Sequence, residues 1–157
     1  MPSPLYDILL ICHVVAGFAG FGSIAVSGWA AAAGRRSGNP GGEERVVRFF
    51  RIGVDWPGRL IFAVPVLGLA LLFGGHRGDA GAAWPWLGLG LWIVATGFAS
   101  GVAWPAERRA QRELAAVISG DRAALAPFAE ACLRVERAAA AVTVCFVLAV
   151  VVMIWQP

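Results

Sequence analysis

Lysine does not occur in the sequence, so its thirteen formal cations are all arginine. Charge of either sign is scarce: 15% of the residues are Asp, Glu, Lys or Arg, against 59% hydrophobic, with a mean hydropathy of +0.71. That balance excludes an ordinary soluble domain. The three cysteines occur in no CxxC or zinc spacing, which excludes a zinc site and gives no ground for a structural disulfide. Cys12 and Cys145 fall in apolar runs and Cys132 between two of them, where a thiol serves as a small apolar residue. No catalytic triad, pair of intramembrane carboxylates, phosphate-binding loop or dinucleotide fingerprint is present, so hydrolase, kinase and dehydrogenase readings have no support. Several convergent intramembrane charges and inverted repeats are also missing, which counts against a small-solute carrier.

What remains is an all-α design of four apolar runs in a single integral membrane domain covering 1–157. The spans are expected at about 8–33, 58–75, 84–104 and 138–155. The first run covers roughly 39 Å at 1.5 Å per residue, more than a ~30 Å hydrocarbon core needs. No cation precedes it, and Arg35 and Arg36 follow it. This reverses a signal peptide, so the segment is expected to stay in the mature chain. In "DWPGR", Asp55 is placed to cap span two and to pair with Arg59 one turn on, while Pro65 predicts a kink inside that span. Pro105 is expected to stop or bend span three.

Twelve of the thirteen arginines lie in or beside the connections 34–59 and 105–137, and only Arg77 lies on the other side. The positive-inside rule makes both connections cytoplasmic and turns both termini outward across a bacterial-type inner membrane. Trp84, Trp86 and Trp155 then mark the outer interface, and Trp56 and Trp104 the inner one. Net charge of +3 with interleaved glutamates points to lipid headgroups rather than nucleic acid. The second connection reads as a cytoplasmic helical hairpin between spans three and four, broken at Ser119-Gly120, with Ser119 or Asp121 as cap and Pro127 early in the second piece. Small residues mark close helix approach: Gly20 and Ser23 in span one, Gly97 and Gly101 in span three. They serve either packing within one bundle or association with a second copy or larger membrane complex.

His13 lies about five residues into span one, roughly 8 Å below the outer interface, and His76 closes span two at the same surface. Neighbouring antiparallel helices would bring both imidazoles to one outer-leaflet pocket, with Met153 of span four as a third polarizable group. That set suits a b-type haem or copper, His13 being the leading metal ligand. The alternative is that His13 hydrogen-bonds a backbone carbonyl or hydroxyl of a neighbouring span and His76 is solvated. Arg59, at the cytoplasmic mouth of span two, would hold a propionate, phosphate or carboxylate, or snorkel to headgroups while paired with Asp55.

The stretches "LLICHVVAGFAGFGS", "DWPGRLIFAVPVLGLALL", "WLGLGLWIVATGFASGVAWPAERR" and "VVVMIWQP" resemble a bacterial family of uncharacterised four-span integral membrane proteins over nearly the whole chain. The resemblance implies a four-helix bundle. That family is distantly similar to the four-helix membrane protoporphyrinogen oxidases and the copper-resistance D proteins, which place a histidine early in a span. His13 is the position that matches, and Arg59 is the cation nearest to the deeper basic residue of the oxidases. Two functions follow as expectations: a non-catalytic packing or accessory subunit of a membrane assembly, or a haem- or copper-binding redox protein built on His13.

Overall fold

Large apolar side chains face outward in this chain and small ones face inward. In the computed structural model, which describes residues 4–51, 57–74 and 81–156, Phe18 is 65% exposed, Trp29 70% and Val66 67%, while Ala31, Ala95, Ala99 and Ala110 are fully covered. That inversion fits a bundle whose solvent is hydrocarbon, because association there depends on close backbone approach rather than on removing apolar surface from water. Four helical stretches are long and apolar enough to cross a bilayer: Pro4–Arg36, Pro57–Gly74, Trp84–Ile118 and Arg122–Trp155. The protein is an all-helical, multi-pass integral membrane protein.

Helix α1 (Pro4–Arg36) is followed by a short α2 (Glu44–Arg51). Span two opens as a 3₁₀ turn (Pro57–Phe62) and continues as α3 (Ala63–Gly74). Span three is α4 (Trp84–Phe98), a π-helical segment (Ala99–Ala103) and α5 (Trp104–Ile118), and span four is a 3₁₀ turn (Arg122–Ala124) leading into α6 (Leu125–Trp155). The first, third and fourth spans run past the expected 8–33, 84–104 and 138–155.

Proline explains two differences from the sequence expectations. Pro105 neither stops nor breaks span three; the helix passes through it by widening, with the Trp104 N–H donating to the Ala99 carbonyl five residues back. The wider turn accommodates the ladder donor that proline lacks. Pro65 is tolerated in the first turn of α3, where 3₁₀ geometry gives way to α, and its missing N–H leaves the Ile61 carbonyl four residues back without a ladder donor. Pro127 is tolerated in the same way, in the first turn of α6. Between α5 and α6 the chain reverses at Gly120, whose φ of +101° is a left-handed conformation that glycine adopts without strain. Asp121 Oδ1 then accepts from the Ala123 N–H at 2.9 Å.

Two contacts set the bundle's spacing. A Cβ on Gly20 would lie 2.6 Å from the Ile61 backbone nitrogen, and one on Gly28 would lie 2.5 Å from Ala139 Cβ, so α1 touches span two and α6 through missing side chains. Around the first contact Phe21, Ile24, Ile61, Ala99 and Val142 form a mid-bundle core, with Trp92, Trp104 and Phe146 against it. A second core, Phe50, Leu114, Phe128, Cys132 and Val135, ties α2 to α5 and α6 at the arginine-rich end. There Arg35 pairs with Glu136 at 3.0 Å, joining α1 to α6.

Candidate functional site

At the end of the bundle that carries both termini, α1, α3, α4 and α6 leave space between them. A cavity of about 380 Å³ is lined by Tyr6, His13, Trp84, Trp92, Met153 and Gln156 among otherwise apolar neighbours. A second, of about 100 Å³, runs deeper past Phe21, Cys145 and Phe146. His13, Val64, Gly88, Trp92 and Met153 line both.

The His13 ring is fixed by the neighbouring span. Its Nδ1 lies 2.9 Å from the Val64 carbonyl oxygen. A carbonyl only accepts, so Nδ1 carries a proton, and in a neutral ring the lone pair is then at Nε2. A hydrogen bond of this kind from the other ring nitrogen orients metal-ligating histidines. The ring rests where α3 has no side chain: a Cβ on Gly68 would stand 3.2 Å from His13 Cε1. At Gly88 the approach is looser: its absent Cβ would stand at an ordinary van der Waals distance, 3.7 Å, from Met153 Cε. Gly68 thus seats the His13 ring, while Met153 passes beside Gly88 without needing the missing side chain.

Trp92 is the residue that sequence reasoning missed. Its Nε1–H donates to the Ile61 carbonyl at 2.7 Å. Pro65, four residues after Ile61, has no N–H to occupy that carbonyl. The signal was present as a mid-span tryptophan whose donor needs a partner in hydrocarbon, together with a proline that frees one. Thr96 and Ser100 continue along the same helix by returning their hydroxyls to Trp92 O and Thr96 O.

The remaining candidates lie elsewhere. Arg59 lines neither cavity; its guanidinium stands 5.9 Å from the centroid of Trp104, over that ring, in the half of the bundle nearer the arginine-rich end. Trp104 is turned inward rather than out to an interface: its ring packs on Phe62 at 5.9 Å, and its Nε1 is buried without a hydrogen-bond partner. His76, Asp55, Trp56 and Arg77 lie outside the described residues. Gly20 and the half-buried Ser23 lie in the packed part of α1. Gly97 and Gly101 look away from the other helices, and a Cβ on either would meet nothing within 4 Å. Cys12 is exposed on the outside of α1, not buried as a core thiol. Among the described residues, no group of three or more His, Cys, Asp or Glu side chains is placed to hold a metal ion.

The chemical capacity of the site follows from this inventory. One imidazole, one thioether and, in the deeper cavity, the Cys145 thiol are its soft or borderline metal-competent donors, in walls mostly of aliphatic and aromatic carbon. A neutral imidazole with Nδ1 committed offers Nε2 as an acceptor only, so its partner must be a Lewis acid or a hydrogen-bond donor. Comparison with protein-family models, curated proteins and solved structures finds no match to this chain.

Proposed function

We propose that this protein is an integral membrane cofactor-holding protein in which His13 Nε2 would hold the iron of a b-type haem. The observation that carries the reading is the hydrogen bond that ties His13 Nδ1 to the Val64 carbonyl, on a ring that lines the larger cavity together with Met153. Volume favours an organic ligand over a bare ion. A cavity needs ~10–15 Å³ to hold a water, whereas ~300–1,000 Å³ is usual for cofactor and drug-sized ligands. The space here is about 380 Å³. His13 and Met153 would also suit copper, but a single ion would leave most of that volume unfilled. Haem would supply one-electron chemistry, and this chain would hold the iron and exclude water with Trp84, Trp92 and the Val64 to Leu72 face of α3. With Arg59 distant, Tyr6, Trp86 and Gln156 would supply the polar contacts to such a group.

In this reading the arginine-rich end is cytoplasmic, the α5–α6 turn is a cytoplasmic hairpin, and both termini face outward across a bacterial-type inner membrane. The test is a reduced-minus-oxidised absorption spectrum of gently solubilised protein, with metal analysis, repeated on His13→Ala and Met153→Leu. A Soret band lost in His13→Ala and shifted in Met153→Leu supports the reading. A colourless, metal-free wild type sinks it.

A second reading, an accessory subunit of a membrane assembly, is favoured by one specific observation. Among the described residues, the Gly97 and Gly101 pair meets nothing within 4 Å, which leaves a close-packing face for a second copy or another subunit. It predicts a colourless protein that copurifies with a partner, and loss of that partner in Gly97→Leu.

A further inference from the structure

The arginine-rich end has more cations than its own carboxylates engage. Glu136 is taken by Arg35, Glu130 by Arg134 and Arg109, and Glu113 also by Arg109. Glu43 accepts from Ser37 Oγ at 2.8 Å, and Asp121 is used as a cap. Arg36, Arg45, Arg48, Arg108, Arg112 and Arg122 are exposed and make no ion pair among the described residues. At the opposite end, Asp7 is the charged side chain among the described residues.

Helix α2 gives part of this surplus a fixed address. Val46 and Phe50, one turn apart, are 2% and 3% exposed and pack into the core with Leu114 and Phe128. Phe50 stacks edge-on to Phe128 at 5.7 Å between centroids. With that side anchored, Arg45 and Arg48, three residues apart and therefore neighbours on the helix surface, project outward together. The cations also border apolar surface: Val26 and Trp29, 53% and 70% exposed, precede Arg36 on α1, and Val102, 40% exposed, precedes Arg108 on span three. Exposed guanidinium groups at the end of lipid-facing helices suit headgroup phosphates, since a guanidinium fork matches a phosphate in geometry and charge.

We propose that Arg45 and Arg48 on the outward face of α2 bind the phosphate of an anionic phospholipid, making α2 a lipid-anchored strap across the ends of spans one, three and four. The full chain, in neutral-detergent micelles, is titrated with dioleoylphosphatidylglycerol or dioleoylphosphatidylcholine, and bound lipid is counted by native mass spectrometry. Phosphatidylglycerol should bind at least about tenfold more tightly, since one arginine near an anionic surface contributes about 1 kcal/mol, roughly fivefold in affinity. Arg45→Gln with Arg48→Gln should remove most of that preference, and Arg45→Lys with Arg48→Lys should keep it. Arg134→Gln, a cation already paired with Glu130, serves as the control for net charge. Equal binding of the two lipids, an unchanged preference in the double Gln variant, or the same loss in Arg134→Gln would overturn the assignment. Displacement by an equal concentration of inorganic phosphate would also overturn it, by giving the site to a free anion.

Discussion

Replacing Gly20 by alanine should loosen the contact between spans one and two and, through it, the His13 site. The new Cβ would lie 2.6 Å from the Ile61 nitrogen and 3.0 Å from its Cα, both backbone atoms that no rotamer change can move aside. The shorter contact is roughly 0.9 Å inside the ~3.5 Å at which heavy-atom contacts become favourable, so the two helices must separate. Overpacking of this kind costs about 1–3 kcal/mol, and glycine to alanine in a helix returns up to about 1 kcal/mol. A net loss of about 1–2 kcal/mol follows. Gly22, two residues on, meets nothing within 4 Å, so Gly22→Ala gives the same chemical change without the clash and should be neutral or slightly stabilising. Thermal unfolding in one detergent, followed by far-UV circular dichroism, compares the two directly. Since Gly20 lies two turns from His13 along α1, any bound chromophore should shift its absorption in Gly20→Ala and not in Gly22→Ala. Equal melting temperatures for the two variants would refute the close approach of α1 to Ile61.

Other consequences can be measured in the same preparation. Trp92→Phe leaves the Ile61 carbonyl without a donor and should cost about 1–3 kcal/mol more than Trp104→Phe, which deletes a buried N–H that has no partner; urea melts of both variants decide it. Gly68→Ala pushes on His13 Cε1 from 3.2 Å and should alter the spectrum of a His13-bound cofactor while changing the melting temperature little. The Arg35–Glu136 pair, with both side chains about one-third exposed (34% and 30%), should show a coupling of about 1 kcal/mol or less in a double-mutant cycle. In proteoliposomes, Cys12 should react with a membrane-permeant maleimide and not with a charged, impermeant one, while the fully covered Cys132 should resist both until the protein unfolds.

The spans were legible because a run of some twenty apolar residues has few alternatives once water is excluded, and the arginine-bearing connections punctuate it. What prolines do inside a span was less legible. Pro65 read in sequence as a kink and Pro105 as a stop or bend, yet one sits in a first turn and the other is absorbed by a π segment, because the outcome depends on where the helix starts and on what packs beside it. His13 and Met153 could be named in advance because polar or polarizable groups are few in these runs. The glycine seat of His13 could not, since a glycine's partner is a spatial neighbour: Gly68 holds a side chain of another helix, while Gly97 and Gly101, with the more familiar spacing, hold nothing among the described residues. Trp104 misled for the same reason. A tryptophan near a span's end usually marks an interface, but this one turns inward onto Phe62, beneath the Arg59 guanidinium.

In the proposed function, one imidazole nitrogen, presented by His13 with its partner nitrogen tied to Val64, holds a metal-bearing cofactor in the cavity. His13→Gly removes the ring and leaves a space that free imidazole can fill. This variant, purified in folded form without haem, should take up one b-type haem per chain when imidazole and haemin are added together, with a spectrum close to that of the wild type. Haem uptake by His13→Gly without imidazole, to the level and spectrum of the wild type, would contradict it.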